Sequence, residues 1–147
     1  MSLLKELITY SEDVINGVEV ACIKHKWACA RFLIDLNKKD FKYVFDEEKA
    51  ERFLEWMRLF KHTKGVLQGE NIEPHIIQKF VFGNIYGWVN KETGLRRFKK
   101  AYWQVGRKNA KSQSLGTMGS YESMAFGENA SEVYCAATKK EQAKIVW

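Results

Sequence analysis

Proline is almost absent from this chain: Pro74 is the only one in 147 residues, which excludes a proline-rich linker or a collagen-like fibre. Cysteine is scarce and odd in number. Cys22, Cys29 and Cys135 cannot all pair, and a chain large enough to build a core needs no staples, so reduced thiols are expected. Cys22, His25 and Cys29 fall at i, i+3 and i+7 on a predicted helix, but no second Cys/His pair follows to complete a tetrahedral metal site. They are read as buried or half-buried groups and not as metal ligands. No apolar run approaches the roughly 20 residues of a membrane-spanning helix. The start, MSLLKELITYSEDV, lacks the basic head, long apolar centre and small-residue cleavage site of a secretory signal. A cytosolic location is the expectation.

What is present is the composition of an ordinary soluble domain, with 46% apolar and 29% charged residues. The net charge of +6 permits a polyanionic partner without demanding one. Its distribution is more informative. Between residues 96 and 111 stand Arg96, Arg97, Lys99, Lys100, Arg107, Lys108 and Lys111 with no acid among them, interleaved with Phe98, Tyr102 and Trp103.

The first half reads as helical. Val20, Ile23, Trp27, Ala30 and Ile34 recur at three- and four-residue steps while Lys24, Lys26 and Arg31 take other angles, which predicts an amphipathic helix from Val20 to Leu36. A second helix is expected from Asp46, an N-cap residue followed by Glu47 and Glu48, with an apolar face of Ala50, Phe53, Leu54, Met57 and Phe60. The acids of YVFDEE are explained by that helix start, without the magnesium role that an apolar strand ending in Asp-Glu has in nucleotide hydrolases.

After Gly65 the texture changes. Glu73-Pro74 opens a short helix through Ile76, Ile77, Gln78 and Phe82, and Gly83, Gly87 and Gly94 are expected to break the following stretch into turns, with NKETG as a hairpin turn or loop. RFKKAYWQV predicts a strand, SQSLGTMGSYESMAF a helix ended by Gly127, EVYCAAT a buried strand and KKEQAKIVW a further helix. The alternation of strand and helix in the second half predicts an α/β fold with a parallel sheet.

One stretch carries chemistry. A phosphate cradle needs a strand that stops abruptly, a loop of converging backbone N–H groups, a lysine for the outer phosphates and a hydroxyl for magnesium at a helix start. WQVGRKNAKSQS supplies these in order: a strand ending at Val105, a loop of Gly106, Arg107, Lys108, Asn109 and Ala110, then Lys111, then Ser112. Against the G-x-x-x-x-G-K-[ST] pattern, Val105 replaces the first glycine and Ala110 the second. A left-handed backbone at Ala110 would cost about 1–2 kcal/mol. A basic turn between strand and helix is the competing reading.

The order of EPHIIQKF, GLRRFKKAYWQVGRKNAKS and VYCAATKKEQA resembles the ATPase domain of the large terminase subunit of tailed bacteriophages, and YSEDVINGVEVACIKHKWACARFLIDL resembles that family's helical leader. The resemblance implies a leader over residues 1–65 and the start of a P-loop ATPase core of the ASCE type over residues 66–147. It implies that Gln78 reads adenine, that Arg107 contacts the terminal phosphates, that Lys111 binds the β and γ phosphates, and that Ser112 ligates magnesium. ATP and magnesium would be the cofactors. Thr138, Lys139, Lys140 and Gln142 would contact DNA or relay nucleotide state. The family's magnesium-binding Asp, catalytic Glu, coupling motif and nuclease domain are not found in these residues, so the expectation is a fragment inactive by itself, from a parent that packages double-stranded DNA in the host cytoplasm. The parent's partners would be the small terminase subunit, a portal protein and further copies of itself in a ring. A helicase-like DNA-dependent ATPase and a non-catalytic basic DNA-binding module are the alternatives.

Overall fold

A computed structural model describes residues 2–63, 65–106, 109–127 and 131–136. Along the chain it contains α1 (Leu3–Asn16), α2 (Ile23–Leu36), β1 (Tyr43–Phe45), α3 (Glu47–Arg58), α4 (Ile76–Gly87), β2 (Trp88–Asn90) and α5 (Lys111–Ser120), the last followed by a π-helical turn at Tyr121–Ala125. These fold into two compact units. Met1–Glu55 with Pro74–Ala101 forms the first, and Trp56–Glu73 with Tyr102–Trp147 the second.

In the first unit α1 begins where the Ser2 hydroxyl accepts the N–H of Lys5, and it ends at Gly17, whose left-handed φ of 83° suits glycine. Leu3, Leu7, Tyr10 and Val14, spaced by three and four residues, form its buried stripe. Ser11 lies in the same stripe and donates its hydroxyl to the carbonyl of Leu7 at 2.7 Å, which makes its burial tolerable.

Helix α2 starts at Ile23, later than expected, and turns the other way. It buries Cys29, Phe32 and Asp35, whereas Ile23, Trp27 and Ile34 are each more than half exposed. The reason lies in what the buried face meets. Phe32 sits edge-on to Phe45, Phe80 and Trp88 with ring centroids 5.5, 5.7 and 6.1 Å away, and such pairs add to the area they bury. One well-matched aromatic outweighs a longer aliphatic stripe.

Helix α3 starts as its sequence indicates: the Asp46 carboxylate accepts the N–H of Lys49 at 3.1 Å. Ala50, Phe53 and Leu54 are buried beneath it, Phe53 stacking on Tyr86 at 4.3 Å. Gly83 and Gly87 belong to α4 and break nothing. Their role is close approach. A Cβ at Gly83 would meet Leu7 at 3.1 Å, and one at Gly87 would come within 2.7 Å of the Phe45 ring. The carbonyl of Gly87 also accepts the N–H of Asp46 at 2.7 Å, joining α4 to the start of α3. Strands β1 and β2 pair antiparallel with Val44 opposite Val89. The NKETG segment turns as expected: Asn90 Oδ1 accepts the N–H groups of Glu92 and Thr93, and Gly94 takes a φ of 68°.

The mixture of helix and strand agrees with the α/β expectation, but the parallel sheet expected of the second half does not form among the described residues. Among the described residues the sheet is the antiparallel pair β1 and β2 of the first unit, so the structure is mixed helix with a small two-stranded sheet. Residues 101–106 and 131–136 are outside any ladder, and Arg96 makes a single bridge to Val89. An extended segment becomes a strand only when a neighbour takes its backbone hydrogen bonds in a regular ladder, and neither segment is part of a ladder among the described residues. The expected terminal helix KKEQAKIVW lies outside the described residues. Helix α5 is present, and Gly127 follows the π turn with a φ of 90°. Its small residues serve close packing, since a Cβ at Gly119 would touch Val133 at 3.5 Å. Trp56 donates its indole N–H to Ser120 at 3.1 Å.

Candidate nucleotide-binding site

Five residues of the proposed cradle are described: Gly106, Asn109, Ala110, Lys111 and Ser112. Arg107 and Lys108 lie outside the described residues, as do Thr138, Lys139, Lys140 and Gln142. Ala110 is the N-cap of α5 and has φ 51° and ψ 18°, a left-handed conformation that costs a residue with a Cβ about 1–2 kcal/mol. Of the two outcomes open to this alanine, avoidance or strain, the chain takes strain. Lys111 and Ser112 follow as the first two residues of α5, both exposed. The side chain of residue 110 caps nothing and no acid lies in the first turn, so the helix end presents backbone N–H groups and positive dipole without a built-in anion.

Two further contacts shape the loop. Asn109 donates its side-chain amide to the carbonyl of Gly106 at 3.1 Å, closing the loop on itself. Ser114, buried, donates its hydroxyl to the carbonyl of Ala110 at 3.0 Å, while its N–H reaches the same oxygen at 2.9 Å. The strained residue is thereby held from behind. Sequence reasoning overlooked Ser114; its signal was a serine one turn beyond the loop, able to bond back to a helical carbonyl.

Gln78 lies in the first unit, on the first turn of α4, and is buried. Its Oε1 accepts the N–H of His75 at 2.8 Å, a helix-capping contact.

The basic run is not one face. Arg97 Nη1 lies 2.8 Å from Asp35 Oδ2, an ion pair without a well-directed hydrogen bond at that nitrogen. The guanidinium carbon is 4.7–5.3 Å from the ring centroids of Phe41, Tyr43, Trp88 and Phe98. Lys38 Nζ reaches the other oxygen of Asp35 at 2.9 Å. Burial would raise the pKa of Asp35, but the bonds and charges of Lys38 and Arg97 prevail and hold it below the ordinary carboxylate value. Arg96 lies over the Tyr86 ring at 5.4 Å.

The expected burial of the Cys22, His25 and Cys29 set holds only in part. Cys22 is exposed and Cys29 buried, both as free thiols. His25 meets the Tyr10 hydroxyl at 2.9 Å and packs edge-on to Phe80, and burial lowers its pKa.

Residues 77–147 match the family described as terminase large subunit, ATPase domain. This segment belongs to the terminase large-subunit family. The match begins beside Gln78 and includes the whole loop from Gly106 to Ser112. No curated protein and no solved structure matches the chain significantly. In the terminase segment, therefore, the left-handed residue, the lysine and the serine stand together at one helix start.

Proposed function

We propose that residues 106–112 bind the phosphates of ATP with magnesium, as part of a P-loop core whose parent protein is the motor that packages double-stranded DNA. The observation that carries this reading is the left-handed Ala110 immediately before Lys111 and Ser112, in a segment of an ATPase family. Strain of this kind persists where the surroundings over-determine it, and functional loops are where it gathers. Lys111 would neutralise the β and γ phosphates, Ser112 would supply a hard oxygen to magnesium, and the α5 N–H groups would point at phosphate oxygens. Gly106, Lys108 and Asn109 would form the rest of the cradle. Magnesium, when bound, withdraws charge from the phosphates; Arg107 would add a guanidinium to the same end.

Gln78 would read adenine through the donor and acceptor of its amide. The cap on His75 fixes the side chain in one orientation. The ion pair of Arg97 with the buried Asp35 favours this reading over a simple basic module for duplex phosphates, because a central cation of that run is already engaged. The working protein would act in the host cytoplasm with the small terminase subunit and a portal, as a ring of copies.

Titration calorimetry with a non-hydrolysable ATP analogue and magnesium tests the site. Lys111→Ala is expected to weaken binding by about a hundredfold and Ser112→Ala to remove its magnesium dependence, in keeping with charge-assisted contacts of roughly 1.5–3 kcal/mol. Gln78→Glu keeps the acceptor for His75 and loses the donor for adenine, so it should weaken ATP and leave inorganic triphosphate unchanged. Binding indifferent to Lys111 and Ser112 would end the proposal.

A further inference from the structure

The outward face of α2 has a regular seam. Ile23, Trp27, Ala30 and Ile34 are separated by four, three and four residues, the a/d spacing by which helices interlock. The three large side chains within the helix are mostly exposed: Ile23 58%, Trp27 63% and Ile34 58%. They are not the helix's contribution to its own core, which is Cys29, Phe32 and Asp35 on the opposite side. An exposed tryptophan between two isoleucines marks an interaction surface.

Its flanks define the partner. In the heptad set by Trp27, Lys24 and Arg31 take e positions and Lys26 a g position, the places from which charged side chains reach across to a neighbouring helix. Arg31 also lies over the Phe98 ring at 5.0 Å, which fixes that flank in place. The acid of α2, Asp35, is buried between Lys38 and Arg97 and offers nothing outward. A second copy of α2 would oppose cation to cation in either orientation, Lys26 to Arg31 in parallel and Lys24 to Arg31 in antiparallel pairing. A DNA duplex would meet the cations but gains nothing from isoleucine and tryptophan.

We propose that this seam docks an amphipathic helix of another polypeptide, with apolar residues at a/d spacing and acidic residues at the flanking positions.

The probe is a fluorescein-labelled three-heptad peptide with leucine at a and d and glutamate at e and g, beside a twin with lysine in place of glutamate. Fluorescence anisotropy against the full chain should show binding of the acidic peptide and at least roughly tenfold weaker binding of the basic one. Trp27→Glu and Ile34→Glu should each weaken the acidic peptide by about tenfold or more with the melting temperature unchanged, since these side chains are exposed. The Lys24→Glu/Lys26→Glu chain should prefer the basic twin. Failure of the acidic peptide to bind, or binding that ignores Trp27→Glu, overturns the proposal. So does self-association that Trp27→Glu abolishes, which assigns the seam to a second copy, or seam-dependent binding to phosphatidylserine vesicles without peptide binding, which assigns it to lipid.

Discussion

Arg97 and Asp35 face one another at 2.8 Å across the first unit, 62 residues apart in sequence, with four aromatic rings around the guanidinium. Arg97→Leu would leave the buried Asp35 with Lys38 as its cation, and Asp35→Ala would leave the partly buried Arg97 without its carboxylate. Each change is expected to destabilise the chain by roughly 1.5–3 kcal/mol, and the double variant by less than their sum. Urea denaturation of the four chains gives both numbers; additivity would mean that the pair is not coupled.

His25 sets an acid limit. Burial between Tyr10 and Phe80 lowers its folded pKa from 6.5, so the unfolded chain takes up its proton first as the pH drops. The stabilisation is fully present above about pH 6.5 and is lost as the pH falls through the folded pKa. Melting temperature followed from pH 7.5 to 5 should decline, and His25→Gln, which retains a partner for the Tyr10 hydroxyl, should flatten the curve. An unchanged slope would remove His25 from the account.

The thiols of α2 and its cap should differ sharply in reactivity. Burial pushes Cys29 up to about 11, against a side-chain hydrogen bond with Ser11 that lowers it, whereas Cys22 is exposed. With iodoacetamide at pH 8, mass spectrometry should find Cys22 modified early and Cys29 only after denaturant is added. Equal rates would mean that α2 does not bury Cys29.

At residue 110 the strain can be relieved. Ala110→Gly should raise stability by about 1 kcal/mol, a few degrees in melting temperature, because glycine enters the left-handed region freely. Ala110→Val should lower it by more, the branched side chain being least suited to that backbone. Calorimetric melting of the three chains checks the order; a destabilised glycine variant would show that residue 110 is not left-handed in solution.

The sequence was legible where a local rule decided the outcome. Asp46 capping α3, Asn90 closing its turn and Gly127 following α5 each follow from one residue's chemistry acting over three or four positions. It misled where competition between distant residues decided. The periodicity of α2 is real, but which side goes inward depends on Phe45, Phe80 and Trp88 meeting Phe32, and on Arg97 neutralising Asp35. Gly83 and Gly87 looked like breakers because a glycine's vacancy cannot be told from its freedom without knowing that Leu7 and Phe45 lie beside it. At the loop the residue types were readable, and so was the question at Ala110. The back-bonding from Ser114 was not, since a buried serine and a surface serine are spelled alike.

The division of the chain into Met1–Glu55 with Pro74–Ala101, and Trp56–Glu73 with Tyr102–Trp147, has a practical meaning for anyone dissecting the protein. The polypeptide changes unit three times, so no single cut yields either one whole. A truncation at residue 101 carries Trp56–Glu73 away from the rest of its unit, and one at residue 56 strips the first unit of α4 and β2. Isolating either unit calls for its two segments to be joined by a new linker or expressed together, and a short clone that fails to fold says nothing about the loop it carries.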